Sequence, residues 1–266
     1  MNKQIFYVHT DFSKYMFECF SYSFIEKFGH EKIFLKMLSD IKKITNGKII
    51  VPTYNYDFGK KKVFDYYNDK SQIGSFSEFF RKKYKRNRSL VPFFSDCSNF
   101  KRKQKKEKET FPLGTNSTFE SLLQNSGKII FFGVDFSPTY IHYIESKIVG
   151  GPIYRYDKNF LGKIIFNKNK IQKVNVKMHV IPRGLEISYD LKRIEKELKK
   201  NGILKFRRLK KKFLYSICDV KKFHNYSLKK LKKDPLYFLE EKTKKLLRQS
   251  KILKKRRFNI NDFEKL

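Results

Sequence analysis

Three short apolar runs constrain the fold of this chain more than any other feature of its sequence. Residues 4–8 and 48–51 are mostly apolar and end in polar residues, which is typical of buried strands that reach the edge of a sheet. Between them, apolar residues recur at helical spacing over residues 34–44. A third run, residues 128–134, follows a helix predicted over Thr118–Gln124. This alternation of helix and strand favours an α/β fold with a central, mixed and largely parallel sheet flanked by helices.

The later part of the chain predicts one more strand and then helices. Residues 174–180 alternate between apolar and polar side chains, which is the pattern of a half-exposed strand. Leu191, Ile194 and Leu198 mark one face of an amphipathic helix. We found no internal repeat and no long linker, so we expect a single domain over residues 1–266. Its core would span about residues 1–190, and its mostly helical C-terminal part about residues 190–266.

The formal net charge of +35 predicts strong, non-specific attraction to polyanions. Two explanations stay open: the Lys-rich, Trp-free composition expected of an A+T-rich coding sequence, or a dedicated surface for a polyanion. The charge runs at residues 101–108 and 251–257 lack an apolar face, which favours solvated segments over nucleic-acid patches. Because the lysines are dispersed and no nucleic-acid-binding motif occurs, we expect no specific nucleic-acid partner.

Several classes of protein lose support from what the sequence lacks. No stretch approaches the roughly 20 apolar residues of a transmembrane span, and the first residues do not form a signal peptide, so we expect a cytoplasmic protein. Cys19, Cys97 and Cys218 are widely spaced, so we expect neither disulfides nor a metal site. The motifs of ATP hydrolysis, dinucleotide redox chemistry, zinc proteolysis and serine hydrolysis are also missing.

The most suggestive polar arrangement lies in residues 135–145, directly after the third apolar run. His142 and Glu145 are three residues apart and would share one face of a helix, with Ile141 and Ile144 on the buried side. The imidazole would then point towards the end of the sheet, where open α/β folds bind ligands. An imidazole there is suited to act as a general base for an amine, and a carboxylate would fix its tautomer. From the spacing alone, an ordinary surface pair remains the alternative.

Other polar clusters follow the strands or lie in turn-rich loops. They include residues 8–11, residues 52–54, and Arg88 with Ser89. The forked donors of Arg88 are suited to bind a phosphate of a nucleotide-like cofactor, with backbone amides near Ser89 assisting. A purely structural role is the alternative for each cluster.

Taken in order, these segments resemble the aminoglycoside 3-N-acetyltransferase family, also called the antibiotic N-acetyltransferase family. The specific part is an Arg-Ser-x-x-Pro motif at residues 88–92, followed by Gly-Val at 133–134 and Thr-x-x-His-x-x-Glu at 139–145. The resemblance runs nearly from end to end of the chain. Its pieces are VHTDF (8–12), IIVPTYNYDF (49–58), IGSFSEFFRK (73–82), RSLVPFFS (88–95), FPLGTNSTFESLL (111–123), IIFFGVDFSPTYIHYIE (129–145) and KKDPLYFL (232–239).

The resemblance implies an N-acetyltransferase that uses acetyl-CoA as co-substrate and no metal. The acceptor would be an amino group of an aminoglycoside, or of an amino sugar in surface-polysaccharide synthesis. The amine would attack the thioester directly, with His142 as general base, Glu145 as its acidic partner and Thr139 near the thioester. By position in the family pattern, the coenzyme would lie near His9, Thr10, Arg88 and Ser89, and the acceptor near Tyr54 and Asp57.

One feature departs from the family pattern, and two alternatives compete with this interpretation. Residues 12–29 are long, aromatic and poor in glycine where the family has a glycine-rich turn, which weakens the expected coenzyme contact there. A family member that binds acetyl-CoA without catalysis is therefore one alternative. A basic protein that binds nucleic acid or an anionic surface without catalysis is another. The expected partner is a small-molecule amine acceptor, and a homodimer is left open.

Overall fold

The computed structural model describes residues 4–102, 109–210 and 212–264, so most of the 101–108 charge run lies outside the described residues. The strands are β1 (Ile5–Thr10), β2 (Lys48–Pro52), β3 (Val63–Asp65), β4 (Asp96–Ser98), β5 (Glu109–Thr110), β6 (Lys128–Phe132), β7 (Tyr156–Asn167), β8 (Lys170–Val180), β9 (Leu204–Arg208) and β10 (Leu214–Asp219). The helices are α1 (Phe12–Cys19), α2 (Tyr22–Thr45), α3 (Phe58–Lys61), α4 (Ser75–Lys83), α5 (Thr118–Gln124), α6 (Tyr140–Glu145), α7 (Leu191–Lys200), α8 (Val220–Leu231) and α9 (Glu241–Gln249).

A six-stranded sheet in the order β4-β2-β1-β6-β10-β9 forms the centre of the molecule. Its three middle strands are the three apolar runs of the sequence, and β1 pairs in parallel with both β2 and β6. The outer pairs, β2 with β4, β6 with β10 and β10 with β9, are antiparallel. The predicted mixed α/β sheet is therefore confirmed. Strands β1, β2 and β6 all end at one edge, which we call the carboxyl edge.

Helices cover both faces of this sheet, because its middle strands are apolar on both sides. Strand β1 shows the division: Ile5 and Tyr7 pack with residues of α5, α6, α7 and α8, whereas Phe6 and Val8 pack with residues of α1, α2 and α4. Helix α5 begins where predicted, with the Ser117 side chain accepting a hydrogen bond from the amide of Glu120. None of the helices within the described ranges combines the length and apolarity that a membrane span requires.

A second, four-stranded sheet in the order β3-β7-β8-β5 lies beside the first, and the sequence analysis did not predict it. Strand β8 contains the alternating residues 174–180, so that strand is confirmed. Its partner β7 carries Lys and Asn between its apolar residues, which conceals the strand pattern in the sequence.

The C-terminal part contains the three helices α7, α8 and α9, and α7 buries Ile194 and Leu198 as predicted. It also contains β9 and β10, which the sequence analysis missed. Strand β9 is an edge strand whose last four residues are exposed, so it has no apolar run to detect. Since β10 pairs with β6, the central sheet continues past residue 190.

Candidate active site

Helix α6 carries His142 and Glu145 and begins at the carboxyl edge, after a loop that leaves β6. Gly133 opens this loop with φ of 81°, and a Cβ there would lie 2.9 Å from the Phe213 ring. Ile141 and Ile144 are buried beneath the helix. The loop and the apolar face of the helix therefore direct His142 towards the carboxyl edge.

The three-residue spacing brings the imidazole and the carboxylate into contact. Nδ1 of His142 lies 3.2 Å from Oε2 of Glu145. The His142 side chain is 28% exposed and the Glu145 side chain 2% exposed. The imidazole thus faces the surface, and the carboxylate lies behind it in the interior.

Three residues distant in sequence surround the Glu145 carboxylate. The Tyr189 hydroxyl lies 3.1 Å from both carboxylate oxygens, and the Tyr154 hydroxyl donates to Oε1. Nε of Arg155 lies 3.8 Å from Oε2. Arg155 also donates through Nη2 to the Tyr189 hydroxyl at 2.9 Å and through Nη1 to the carbonyl of His179 at 2.9 Å. The buried carboxylate is consequently paired with a cation and held by hydroxyl donors, as a buried charge requires.

These contacts set the ionisation of the pair. Burial would raise the pKa of Glu145, but the hydrogen bond from His142 and the charge of Arg155 outweigh it and lower that pKa. Burial lowers the pKa of His142, assisted by the charge of Arg155 and opposed by Glu145. At neutral pH, Glu145 is ionised and His142 is neutral.

The ionised carboxylate determines which ring nitrogen of His142 carries the proton. Glu145 only accepts hydrogen bonds, so Nδ1 of His142 carries the proton. The Arg155 nitrogen Nη2 also lies 3.4 Å from Nδ1, but it has a shorter contact with Tyr189. The Nε2 atom is left as the basic nitrogen.

A small cavity of about 120 Å³ opens in front of His142. It is lined by Ser137, Pro138, Thr139, Ile141, His142, Tyr189 and Leu191. Thr139 is the residue directly before α6, and its side chain is hydrogen-bonded to the Tyr54 hydroxyl. That hydroxyl lies 2.8 Å from the hydroxyl of Tyr7. Thr139 and Tyr54 are therefore brought together beside the cavity that His142 lines.

His9 and Thr10 end β1 at the carboxyl edge. The His9 ring stacks on Phe131 with centroids 5.5 Å apart, and burial lowers its pKa to about 4. The next residue, Asp11, caps α1 by accepting a hydrogen bond from the amide of Lys14 at 2.8 Å. A carboxylate therefore already occupies the helix end that would otherwise attract an anion.

Arg88 lies in the interior rather than on a surface that a coenzyme phosphate can reach. Its guanidinium donates to the carbonyls of Thr53, Tyr66 and Asp69 and to Oγ of Ser95. It also lies 4.5 Å from the Phe64 ring centroid, and burial lowers its pKa to about 10. These contacts give Arg88 the structural role that the sequence analysis held as its alternative.

Ser89, the next residue, lines a larger cavity of about 590 Å³ on the α5 side of the sheet. Its hydroxyl accepts a hydrogen bond from the amide of Asp96 at 2.9 Å. The same cavity is lined by three cations, Lys48, Lys101 and Arg102, and by hydroxyl and amide side chains around the start of α5. Ser89 is thus the one predicted coenzyme residue beside a basic cavity.

Asp57 lies apart from this group, at the exposed start of α3. Its carboxylate pairs with Lys61 and accepts a hydrogen bond from Gln72 at 2.8 Å. Within the described part of the chain, Asp57 bonds to Asn55, Lys61 and Gln72 and not to the residues around His142.

Sequence reasoning missed Tyr154, Arg155 and Tyr189, although they hold Glu145. The available signal was Gly150-Gly151-Pro152, a turn sequence followed after Ile153 by two residues able to pair with a carboxylate. Spacing alone does not show that this turn faces α6.

The structure is thus a mixed α/β fold with a His–Glu pair at its carboxyl edge. The family model of the aminoglycoside 3-N-acetyltransferases matches residues 32–232, so the chain belongs to this family. It is accordingly an acyltransferase, and acetyl-CoA is its co-substrate. No curated protein sequence matches the chain significantly.

Several solved structures share the fold at low sequence identity. AAC-IIIb, solved as a binary complex with CoASH, is 14% identical with a TM-score of 0.64, over 87% of this chain and 91% of that one. YokD from Bacillus subtilis is 14% identical with a TM-score of 0.61, over 86% of each chain. The aminoglycoside acetyltransferase AAC(3)-IVa, in complex with apramycin, is 14% identical with a TM-score of 0.60, over 88% and 87%.

Proposed function

We propose that this protein acetylates an amino group of an aminoglycoside or amino sugar, with His142 as general base. The observation that carries the proposal is the His142–Glu145 pair, whose neutral imidazole faces a cavity while its carboxylate partner is buried. The membership of the family and the apramycin complex of AAC(3)-IVa support the acceptor class. Since acetyl-CoA is a cytoplasmic metabolite, we place the reaction in the cytoplasm.

In the proposed reaction, the amine nitrogen attacks the carbonyl carbon of the thioester. Nε2 of His142 takes the proton that this nitrogen loses, and Glu145 stabilises the resulting imidazolium. The carbon–sulfur bond then breaks, and the CoA sulfur leaves with a proton returned by the imidazolium. Transfer is direct, without an acyl-enzyme, and alignment of the two substrates supplies much of the rate.

A chain of hydroxyls would support the thioester carbonyl in this reaction. The Tyr7 and Tyr54 hydroxyls lie 2.8 Å apart and Tyr54 is hydrogen-bonded to Thr139, so the Thr139 hydroxyl is held in a fixed position beside the cavity. Successive hydrogen bonds in a buried chain strengthen one another. Tyr54 then acts from behind Thr139, and its part in acceptor binding, like that of Asp57, stays a prediction.

The basic cavity beside Ser89 is the place we propose for the phosphates of acetyl-CoA. Lys48 and Lys101 supply cations there beside Arg102, which is paired with Asp96, whereas the start of α1 presents the carboxylate of Asp11. Arg88 would shape this cavity by fixing the backbone before Ser89, without touching the coenzyme. Contacts from His9 and Thr10 to the coenzyme stay predictions.

The test is release of the CoA thiol from acetyl-CoA across a panel of aminoglycosides and nucleotide-linked amino sugars. We expect acceptor-dependent release that His142→Gln reduces to background, with acetyl-CoA binding retained in calorimetry. Full activity in His142→Gln would remove the histidine from the mechanism. Binding of acetyl-CoA without turnover on any acceptor would indicate a member that has lost catalysis.

A second assay examines the rival function, polyanion binding. Binding of nucleic acid or anionic vesicles that collapses between low and moderate salt is the generic consequence of a +35 charge. Salt-resistant, sequence-dependent binding with no acetyl transfer would favour the rival instead.

A further inference from the structure

The C-terminal segment, residues 251–264, packs against the residues that hold Glu145, and it lies beyond the family match, which ends at residue 232. The amide of Phe258 donates to the carbonyl of Ile153 at 3.2 Å. The Phe258 ring is buried in a cluster with Tyr154 and Tyr156. Glu264 pairs with Tyr156 and Lys158 on β7. The segment therefore follows the chain from residue 153 into β7.

Arg257 makes the most specific of these contacts. Its Nε donates to the carbonyl of Arg155 at 2.9 Å, and its Nη1 donates to the carbonyl of Gly150. Its Nη2 donates to Oδ1 of Asp157 at 2.8 Å. One guanidinium thus joins three points on the segment that presents Tyr154 and Arg155 to the active site. The expectation that residues 251–257 form a solvated charge run is wrong for Arg257, whose side chain is 24% exposed.

Gly151 provides the space for this guanidinium. A Cβ at Gly151 would lie 3.2 Å from Cζ of Arg257, and the residue has φ of 74°. A side chain there would meet both steric crowding and an unfavourable backbone conformation. The turn at residue 151 is shaped to receive Arg257.

We propose that Arg257 is a positioning residue of the active site, which acts through Arg155 and Tyr154 to hold the His142–Glu145 pair in its working arrangement. The proposal rests on the proposed function for what the pair does. It goes beyond that function because it assigns a catalytic contribution to a segment outside the family match.

The charge of Arg155 connects Arg257 to His142. The charged and titratable groups around His142 are Glu145 on its own helix, Tyr154 and Arg155 before β7, and Tyr189 before α7. Without Arg257, the carbonyls of Gly150 and Arg155 lose their charged donor, and the segment that carries Arg155 is released. Arg155 lowers the pKa of His142, so its withdrawal raises that pKa.

The test compares Arg257→Ala with Arg256→Ala, a matched neighbour in the same segment. Among the residues that the structure describes, Arg256 pairs with Asp262 and bonds only within its own segment. We expect Arg257→Ala to lower kcat by roughly 10–10² fold, because small misplacements of reacting groups cost that much. The KM for acetyl-CoA should change less than twofold, and Arg256→Ala should match the parent protein.

Histidine NMR titration supplies a second readout, which would stay unchanged if Arg257 had only a structural role. With the His142 signal assigned from its loss in His142→Gln, its pKa should rise in Arg257→Ala and stay unchanged in Arg256→Ala. Arg257→Lys keeps the positive charge but loses the three-way donor geometry of the guanidinium, so it should resemble Arg257→Ala. An unchanged His142 titration in Arg257→Ala, or equal activity losses in both alanine variants, overturns the proposal. The titration needs no turnover, so it stands even if His142→Gln proves fully active and the proposed function fails.

Discussion

Two histidine–carboxylate pairs lie on either side of Arg155, and they are exposed in opposite ways. In the His142–Glu145 pair, the imidazole is 28% exposed and the carboxylate 2% exposed, at a contact of 3.2 Å. In the His179–Asp157 pair, the imidazole is 8% exposed and the carboxylate 40% exposed, at 2.6 Å. The first pair presents its imidazole to a cavity. A histidine–carboxylate contact therefore does not identify a catalytic base unless the imidazole is the outer member.

The second pair has a structural explanation. Asp157 and His179 stand directly opposite each other on β7 and β8, so the contact is a cross-strand pair of the hairpin. The edge of the His179 ring meets the Phe111 ring at 4.7 Å between centroids. Burial lowers the pKa of His179, so the imidazole is mostly neutral at pH 7. The pair therefore stabilises the contact between β7 and β8, and its buried imidazole lacks access to a substrate.

The largest expected difference appears when the same substitution to Gln is made at His142 and at His179. His142→Gln should reduce kcat/KM by about 10²–10⁴ fold, because it removes the proposed general base. His179→Gln should leave kcat/KM within about threefold and lower the melting temperature, because it removes a buried contact of the hairpin. Steady-state kinetics and thermal unfolding of both variants check this. Equal kinetic losses in the two variants would contradict the distinction drawn between the pairs.

The next effect concerns the inner carboxylate. Glu145→Gln removes a group that raises the pKa of His142, so that pKa falls further. The acid limb of the pH profile of kcat/KM should move to lower pH, since His142 acts as a base only above its pKa. The plateau should fall roughly tenfold or more, because the base is weaker and the imidazolium has lost its counterion. A limb that moves to higher pH would contradict this electrostatic account.

A smaller effect is expected for the hydroxyl behind the pair. Tyr189→Phe removes the contacts to both oxygens of Glu145 and the acceptor for Arg155. The variant should lose about 1.5–3 kcal/mol of stability, the range for hydrogen bonds to charged groups. Activity should fall several-fold with its pH profile retained, and urea unfolding beside steady-state kinetics measures both changes.

The smallest expected effect concerns His9, a buried imidazole that has no carboxylate partner among the described residues. The pKa of His9 is about 4 in the folded protein, below the 6.5 of an unperturbed histidine. Between these values the unfolded chain binds the proton more readily, so stability falls as the pH falls from about 6.5 towards 4. His9→Phe should reduce this loss. Melting temperatures of both proteins across that range give the measurement, and parallel curves would contradict it.

The sequence predicted the parts of the fold that depend on local pattern. The three apolar runs became β1, β2 and β6, and the spacing of His142 and Glu145 placed them in contact. Strand β9 escaped detection because an exposed edge strand has no buried face to mark it. Edge strands of this kind are set by their neighbours in the sheet, which a local pattern does not show.

The site was less predictable, because its decisive contacts join distant residues. Tyr189 lies 44 positions from Glu145, and no periodicity links them. Arg88 illustrates a different limit, since the same forked donors suit a phosphate or a set of carbonyls. Because the Arg88 side chain is completely buried, its donors bind carbonyls instead of a phosphate. This burial follows from the packing of β3 and its loops.

The position of β10 beside β6 has a consequence for synthesis of the chain. Strand β6 ends at residue 132, but its antiparallel partner begins only at residue 214. While the ribosome adds the intervening residues, the Ile and Phe residues of β6 form an unprotected edge of the nascent sheet. Since distant strands pair slowly, the growing chain is exposed to edge-to-edge aggregation during this interval.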